Sequence, residues 1–373
     1  MKKTIKEYFE DVETTEEHAG YYYSVVEALT IVILGSFCGL RNTKQIHQWA
    51  TSTNVSEFLM KHFSICKIPC YYWLLCLLKI IKPKSLNQCF INWVQSFLPE
   101  TTKEKTLSFD GKTIRSTGKM DKYESPLHIV SAHSAELGIT IAQQTVDSKS
   151  NEIPAVRKLL GLLEISGCMV VADALNCQKE TAQAIIDAEA DYLLNVKDNH
   201  PTSKENIEKY VQDDTLRKEM DTFTTCEKQS GRIEQRTAYS THEINWLDGR
   251  KDWPELACIG AINRQVTTNK GVTTDNWHYF ISSRKLTAED MLKHARLEWS
   301  VETMHWFLDV HFGEDFCRVE DENVQQSLNM VRKIALNSIK NYKEKTGNKR
   351  PLSNIMLGCL VDSSNLCTIL DQL

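Results

Sequence analysis

The spacing of hydrophobic and polar residues changes near residue 100, and this change divides the chain into two parts. In the first hundred positions, apolar residues recur at the three- and four-residue spacing of helices that bury one face. Helical patterns cover 25–39, 43–49, 71–81 and 86–98. The following residues, 101–106, are polar throughout. The pattern therefore predicts an all-α N-terminal domain over 1–100 and a linker over 101–106.

Beyond the linker, short apolar runs are separated first by turns and then by helices. Strands are predicted at 107–109, 127–132, 139–146, 168–172 and 192–196, and helices at 154–163 and 178–188. Closely spaced strands form hairpins, whereas continuous apolar strands that alternate with helices are typical of parallel strands covered on both faces. The order β-β-β-α-β-α-β predicts an α/β fold with a mixed five-stranded sheet and flanking helices.

The region after the fifth predicted strand breaks this order. Several β-like runs occupy the stretch from about 200 to 285. Helical patterns return at 287–299 and again from 324 to about 345. We therefore predict a second domain over 107–345 with a β-rich insertion at about 200–285, followed by a C-terminal tail over 346–373.

Composition narrows the class of protein only slightly. The 373 residues are 42% hydrophobic and 25% charged, which excludes a largely disordered or fibrous chain. A net charge of -5 excludes a uniformly basic nucleic-acid coat but permits a local basic face. The 12 cysteines include no Cys-x-x-Cys pair and favour reduced thiols in the cytoplasm. There is no signal-peptide pattern, and the most hydrophobic stretch, 28–40, is too short to span a membrane.

Two aspartates occupy equivalent places in the predicted sheet. Asp110 ends the first strand and Asp173 follows the fourth. These strands are neighbours in a sheet of this order, so the two carboxylates are expected side by side, where they repel unless a cation or a proton lies between them. Hard oxygen ligands at a half-open site favour Mg²⁺ or Mn²⁺. For either Asp alone, a loop or cap residue is the alternative.

A third carboxylate is needed to hold two metal ions, and the candidates lie in the aromatic helical segment 296–306. Glu302 lies one turn from Glu298 and from His305. A solvated helix charge is the alternative for Glu298, and core packing is the alternative for His305. Spacing alone does not decide whether Glu302 binds metal.

Five segments combine into one specific pattern: 110–115, 149–153, 173–178, 191–197 and 299–315. The densest part is Trp299-Ser300-Val301-Glu302, followed by His305 and Trp306. This pattern resembles the DDE transposases of bacterial insertion sequences, in the H-repeat-associated subgroup, and residues 1–100 resemble the associated N-terminal domain. Asp309 stands where related transposases carry a Lys, and Thr303 stands where Asn is usual.

The resemblance implies a fold, a site and a reaction. It implies an RNase H-like core in which Asp110, Asp173 and Glu302 are the catalytic triad and bind two Mg²⁺ (or Mn²⁺) ions. The implied reaction is phosphodiester hydrolysis at transposon ends, followed by strand transfer. The implied partners are the terminal inverted repeats and target DNA, on which a dimer is expected. The implied location is the bacterial cytoplasm, in association with the nucleoid and not with a membrane.

Basic residues provide candidate contacts to DNA phosphates. They are Lys112, Arg115, Lys197 and Arg296 near the carboxylates, and Arg332 and Lys333 in the basic C-terminal helix. A solvated surface charge is the alternative for each of them.

Three other functions stay open beside that of an active transposase. A catalytically decayed DNA-binding remnant would keep the fold, and the Asp at position 309 is compatible with it. A cellular RNase H-like nuclease, such as a junction resolvase, would have no obvious need for the N-terminal helices or the insertion. A structural or interaction protein unrelated to DNA would show no salt-sensitive DNA binding.

Overall fold

The computed structural model describes residues 3–16, 22–98, 105–119, 126–147, 150–229 and 231–373. Most of the predicted linker 101–106 lies outside these ranges, as does Lys149 of the segment 149–153. The α-helices are α1 (Ile5–Tyr8), α2 (Val25–Phe37), α3 (Thr43–Ala50), α4 (Thr53–Phe63), α5 (Tyr71–Lys79), α6 (Pro83–Gln95), α7 (Glu152–Leu160), α8 (Lys179–Asp187), α9 (Pro201–Gln212), α10 (Asp214–Glu219), α11 (Ala288–Glu298), α12 (Ser300–Val310), α13 (Glu322–Thr346), α14 (Leu352–Val361) and α15 (Ser364–Leu370). The β-strands are β1 (Thr106–Thr113), β2 (His128–Ser134), β3 (Ile139–Thr145), β4 (Met169–Ala172), β5 (Asp191–Val196), β6 (Asp221–Gln229), β7 (Arg232–Thr241), β8 (Cys258–Thr267) and β9 (Thr273–Ser282).

Helix α2 forms the centre of the N-terminal helices. It begins after Ser24, whose hydroxyl accepts a hydrogen bond from the backbone N–H of Glu27. Nearly every side chain from Ala28 to Phe37 is buried, so the helix is covered by protein around its whole circumference. Among the described residues, no helix combines the length and apolarity needed to cross a bilayer. The hydrophobic stretch 28–40 is therefore part of the protein core, as predicted.

A single mixed sheet of nine strands, in the order β3-β2-β1-β4-β5-β9-β8-β7-β6, organises the rest of the chain. Strand β1 pairs antiparallel with β2 and parallel with β4, which confirms that the first and fourth strands are neighbours. The prediction of five strands is wrong. Strand β9 pairs antiparallel with β5, so the insertion strands extend the same sheet by four.

Helix α13 lies between the N-terminal helices and the sheet. It contacts α2, α5 and α6 on one side and β3 on the other. Its first two thirds, from Val324 to Ile339, are almost continuously buried. The C-terminal residues predicted as a tail form α14 and α15, which contact α2 and α13 respectively. One hydrophobic core therefore runs through the N-terminal helices, the sheet and the C-terminal helices.

Helices α11 and α12 cover β1 and position the candidate site. Helix α11 is capped by Thr287, whose hydroxyl accepts a hydrogen bond from the backbone N–H of Asp290. Its apolar side packs on β4, β5 and the insertion strands in a second hydrophobic cluster that includes Met291 and Leu292. Trp299 separates α11 from α12, and both helices contact β1.

Candidate active site

The even-numbered residues of β1 are polar and face helices α11 and α12. Successive side chains of a strand point to opposite faces, so Thr106, Ser108, Asp110 and Lys112 share one face. Thr106 and Ser108 hydrogen-bond to α11, whereas Asp110 and Lys112 lie against α12. The strand does not end at Asp110, as predicted from the sequence, but continues to Thr113 because β2 remains paired with it.

The parallel pairing of β1 and β4 places Asp110 beside Asp173. Phe109 pairs with Ala172, and the residue that follows each of them in the chain is the aspartate. The Asp173 carboxylate accepts hydrogen bonds from the backbone and side-chain nitrogens of Asn176, at 3.2 and 3.0 Å. These bonds hold one carboxylate oxygen of Asp173 just beyond the carboxyl end of β4.

Helices α11 and α12 add two glutamates to the same place. Asp110, Asp173, Glu298 and Glu302 all line one cavity of about 290 Å³. Glu298 is half-buried, whereas Glu302 is exposed. The structure therefore brings the three predicted carboxylates to one cavity and adds Glu298, for which the sequence left a solvated helix charge open.

The pKa values of Asp110 and Glu298 are raised by burial and by neighbouring negative charges. Burial raises the pKa of Asp110 to about 7, with further contributions from the charges of Glu152, Asp173 and Glu302. Burial and the charge of Asp173 likewise raise the pKa of Glu298 to about 7. The cavity thus has an excess of negative charge that a proton or a cation would relieve.

The chemistry of this donor set fits a divalent cation. Four carboxylates supply the hard oxygen ligands that Mg²⁺ and Mn²⁺ prefer. In the described ranges, however, no group of three His, Cys, Asp or Glu side chains is already gathered at metal-binding spacing. Within the described ranges, the four carboxylates therefore share a cavity without forming the expected close cage.

His305 supports Asp110 from α12. Its Nδ1 lies 3.5 Å from an Asp110 carboxylate oxygen. Burial lowers the pKa of His305 to about 3, so the ring is neutral at physiological pH. Its Nε2 is buried and has no hydrogen-bond partner in the described part of the chain. The neutral ring therefore lies beside Asp110 without supplying a positive charge to it.

Cationic side chains surround the carboxylates. The predicted Lys197 and Arg296 line the cavity, together with Arg236 and Arg264 from the insertion strands β7 and β8. The Arg296 guanidinium donates two hydrogen bonds to Glu227, at 2.6 and 3.1 Å. Sequence analysis missed the two insertion arginines because alternation along a strand does not show which sheet that strand joins.

Two polar side chains that line the cavity each have one hydrogen-bonding atom without a partner in the described part of the chain. The Nε of Arg236 and the Oδ1 of Asn195 are buried and have no partner among the described residues. Buried polar atoms without partners call for an explanation, such as an ordered water molecule, an ion or a functional role. The signal was not readable from the sequence, because neither residue belongs to a recognisable motif.

Lys112 does not occupy the position predicted for a DNA-contacting residue. Its Nζ lies 2.5 Å from Asp309 and 2.6 Å from Glu314, and its side chain is only 13% exposed. The charge of the ammonium group is therefore already balanced by these two carboxylates within the protein. Arg115, by contrast, is 84% exposed and lies 3.5 Å from Asp315.

Arg332 and Lys333 are also internal, which corrects the prediction that they contact DNA. They are only 4% and 2% exposed. The Lys333 ammonium donates hydrogen bonds of 2.8 Å to Ser131 and to Gln143. The basic run was interpreted as an outer helix face, but α13 is packed between the N-terminal helices and the sheet.

A His–Glu pair next to Asp110 was also missed. His128 hydrogen-bonds Thr113 through Nδ1 and Glu152 through Nε2, each at 2.7 Å. Gly111 makes room for this pair, because a Cβ there would collide with both His128 and Glu152. The available sequence signal was Glu152 itself, which lies within the matched segment 149–153.

Comparisons with known proteins identify the family of this chain. The family described as "Transposase DDE domain" matches residues 101–338, and the family described as "DDE_Tnp_1-associated" matches residues 6–94. The first match covers more than half of the chain and includes every carboxylate of the cavity. The chain therefore belongs to the DDE transposase family.

Similar proteins come from Escherichia coli. "Putative transposase YncI" of strain O157:H7 is 33% identical over 285 residues, which are 74% of this chain and 73% of that protein. "H repeat-associated putative transposase YhhI" of strain K12 is 32% identical over 269 residues, which are 70% of this chain and 71% of that protein. The H-repeat-associated resemblance is thus confirmed.

One solved structure is also similar over most of the chain. It is the piggyBac transposase synaptic complex with hairpin DNA, with a TM-score of 0.46 and 10% identity over 96% of this chain and 76% of that one. At that TM-score, the likeness informs neither the fold nor the function of this chain.

Proposed function

We propose that this protein is a DNA transposase that cleaves phosphodiester bonds at the ends of an insertion sequence and joins the freed ends to target DNA. The observation that carries the proposal is the convergence of Asp110, Asp173 and Glu302 on one cavity in a chain of the DDE transposase family. The fold would be RNase H-like, with β6–β9 as a sheet-extending insertion between Asp173 and Glu302.

Asp110, Asp173 and Glu302 are the residues that would hold two Mg²⁺ or Mn²⁺ ions. Such ions, when bound, make water a stronger nucleophile and stabilise the leaving 3′ oxygen. Glu298 lines the same cavity, and its burial keeps a further carboxyl group close to that position. The neutral His305 ring lies 3.5 Å from Asp110 and would leave the charge of this carboxylate available to a cation.

The cations around the cavity would stabilise the phosphate. Charge accumulates on the phosphate oxygens as the bond to the incoming oxygen forms and the bond to the 3′ oxygen breaks. Lys197 and Arg296 face the carboxylates, and Arg236 and Arg264 approach from the insertion. We propose that Lys197 and Arg296 contact the phosphates next to the scissile bond, and that exposed Arg115 contacts DNA just beyond the C-terminal end of β1.

Synapsis of two transposon ends would require two copies of the chain on DNA. The DNA partners would be the terminal inverted repeats and a target site, reached in the bacterial cytoplasm and at the nucleoid. An acidic net charge of -5 makes this binding dependent on the local basic residues of the site, rather than on the protein as a whole.

Cleavage of a supercoiled plasmid that carries the element's own ends tests the proposed function. Wild-type protein with Mg²⁺ should nick the plasmid at the ends, and removal of Mg²⁺ with a chelator should stop nicking. Asp173→Asn and Glu302→Gln should each reduce nicking by at least about a hundredfold, because each removes a ligand charge. Asp187→Asn, at an exposed carboxylate of α8, is the matched control and should nick normally.

A catalytically decayed remnant is the second candidate function. The observation that favours it is the ion pair between Lys112 and Asp309, at the position where related transposases carry a Lys. Such a remnant would bind the element's ends with a strong salt dependence but leave the plasmid intact with Mg²⁺ and with Mn²⁺. The same assay therefore separates the two functions.

A further inference from the structure

A groove beside the active site is formed by the last turn of α12, the turn between β2 and β3, and the end of α13 with the loop after it. Its volume is about 990 Å³. We call it the aromatic groove and define it by Trp306, Phe307, His311, Lys340, Lys343 and Lys349. It does not share a lining residue with the carboxylate cavity.

The floor of the aromatic groove is a cluster of rings. Trp306 is 54% exposed, although its ring packs edge-on against Phe307 at 5.2 Å and against His311 at 5.7 Å. Phe307 and His311 are stacked, with ring centroids 5.5 Å apart. The cluster holds the Trp306 ring in place while one large aromatic surface stays open to solvent. Such a surface is suited to stacking with another flat ring.

The rim of the aromatic groove is basic. Lys340, Lys343 and Lys349 line it, together with the carboxylates of Glu136 and Glu344. The Glu136 carboxylate already accepts hydrogen bonds from the backbone and hydroxyl of Thr106, so its charge is directed into the sheet. Lys340 lies over the Phe307 ring and donates to the backbone carbonyl of Gly138, and Lys343 donates to that of Arg350, whereas Lys349 is exposed. In a protein with a net charge of -5, these ammonium groups beside the exposed Trp306 ring favour an anionic partner that carries flat rings.

The aromatic groove adjoins the catalytic residues through α12. Glu302 and Trp306 are four residues apart and thus lie on one face of the same helix. Four residues correspond to roughly 6 Å along a helix axis. A DNA strand advances by about 3.4 Å per nucleotide. A strand whose phosphate lies at Glu302 therefore reaches the groove within about two nucleotides.

We propose that the aromatic groove binds unpaired DNA next to the scissile phosphate, with one base stacked on Trp306 and the backbone phosphates beside Lys343 and Lys349. This inference rests on the proposed function, because it takes DNA as the substrate, and it adds the local state of that DNA. Stacking does not discriminate among bases, so the groove recognises an unpaired strand rather than a sequence.

Binding of fluorescently labelled oligonucleotides to the full chain, measured by anisotropy without divalent ions, tests the inference. Trp306→Ala should weaken binding of a single strand about tenfold, since stacking on one aromatic residue contributes that much. Trp306→Phe should restore binding to within about threefold, because it keeps a ring. Tyr72→Ala is the control, because Tyr72 is a 62% exposed aromatic residue of α5 outside the groove. This variant should bind the single strand as tightly as wild type does.

The lysines are tested by salt dependence. A double variant, Lys343→Gln with Lys349→Gln, should reduce the slope of log affinity against log salt by about 1.4 for a single strand, as expected for two lost phosphate contacts. A duplex of the same sequence should lose less affinity than the single strand in Trp306→Ala, because its bases are not available for stacking.

The outcomes separate this inference from the proposed function. Single-strand binding by Trp306→Ala that equals wild type, or equal losses in Trp306→Ala and Tyr72→Ala, would overturn the groove as a DNA site. A loss of the same size for duplex and single strand would overturn the claim that the strand is unpaired. Absence of Mg²⁺-dependent nicking together with the predicted Trp306 effect would overturn only the proposed function.

Discussion

Gly111 is the residue on which the packing beside Asp110 depends. The residue follows Asp110 in β1, and the His128–Glu152 hydrogen bond passes over the position where a side chain would be. Since strands alternate, Gly111 faces away from the carboxylate cavity. The absence of a side chain lets a second polar pair pack on the opposite face of the strand that carries Asp110.

We predict that Gly111→Ala destabilises the protein by about 1–3 kcal/mol, because the added methyl group must displace His128 and Glu152. Urea unfolding measures the change. Gly161→Ala is the matched control, since a Cβ there meets only backbone oxygens at ordinary contact distance and the residue has helical φ. Equal stability of the two variants would contradict the packing described for Gly111.

The position of a single residue could be predicted where the order of the strands along the chain determines it. Asp110 and Asp173 follow from strand order, because neighbouring parallel strands align their ends. Lys112, Arg332 and Lys333 were assigned to DNA because a sequence shows charge but not burial. Their partners lie far along the chain, such as Glu314 for Lys112 and Ser131 for Lys333, and only tertiary packing brings them together.

At the scale of elements, a buried charge network joins β1 to the segment after α12 and to α13. Glu314 is completely buried and accepts a hydrogen bond from Lys112 and another from Asn329. Arg332 of α13 lies 3.7 Å from the same carboxylate. The network fixes β1 two residues beyond Asp110, so it holds this strand against the helix that carries Glu302.

We predict that Glu314→Gln costs about 3–5 kcal/mol at pH 7, because Lys112 and Arg332 lose the fully buried charge that they share, and Lys112 keeps only the partly exposed Asp309. Burial would raise the pKa of Glu314, but Lys112 and Arg332 outweigh it and lower this pKa to about 2. The folded pKa is below the unfolded value, so this stabilisation is present above about pH 4.5 and is lost as the pH falls toward 2.

Denaturant unfolding of wild type and Glu314→Gln between pH 7 and pH 3 measures this prediction. The stability difference should narrow as the pH falls below about 4.5. The control is Glu289→Gln at an exposed position of α11, which should stay within about 0.5 kcal/mol of wild type. A difference that is constant over the whole pH range would rule out the charge network as its source.

The sequence predicts some of the helices and strands accurately and misses others. Strands β2 to β5 and helices α7, α8, α11 and α13 lie close to their predicted bounds because their apolar periods are regular. Helix α4 was not predicted, since its first turn is rich in Thr, Asn and Ser. The insertion was predicted to be β-rich, but its fusion with the main sheet depends on the long-range pairing of β9 with β5, which no local pattern encodes.

At the scale of the whole molecule, the C-terminal helices close the fold onto the N-terminal ones. Met356 of α14 is buried and approaches Gly39 just after α2. Leu357, the next residue, is 57% exposed. The segment predicted as a tail is therefore part of the common core, and chain ends that are distant in sequence stabilise each other.

We predict that Met356→Ala destabilises the whole protein by about 2–5 kcal/mol, as expected when a large buried side chain is truncated. Leu357→Ala should change stability by less than about 1 kcal/mol, because the leucine is largely exposed. Thermal unfolding followed by circular dichroism compares the two variants. An equal effect of both substitutions would show that α14 does not pack on α2 as described.

Binding of Mn²⁺ to the full chain, followed by the electron paramagnetic resonance signal of the free ion, tests most directly whether the three acidic residues form a divalent-ion site. Wild-type protein should remove the signal saturably, and so should the control Asp187→Asn. The protein with Asp110→Asn or Asp173→Asn should leave the ion free over the same range, because each loses a ligand charge. Undiminished Mn²⁺ uptake by both of these variants would contradict the account.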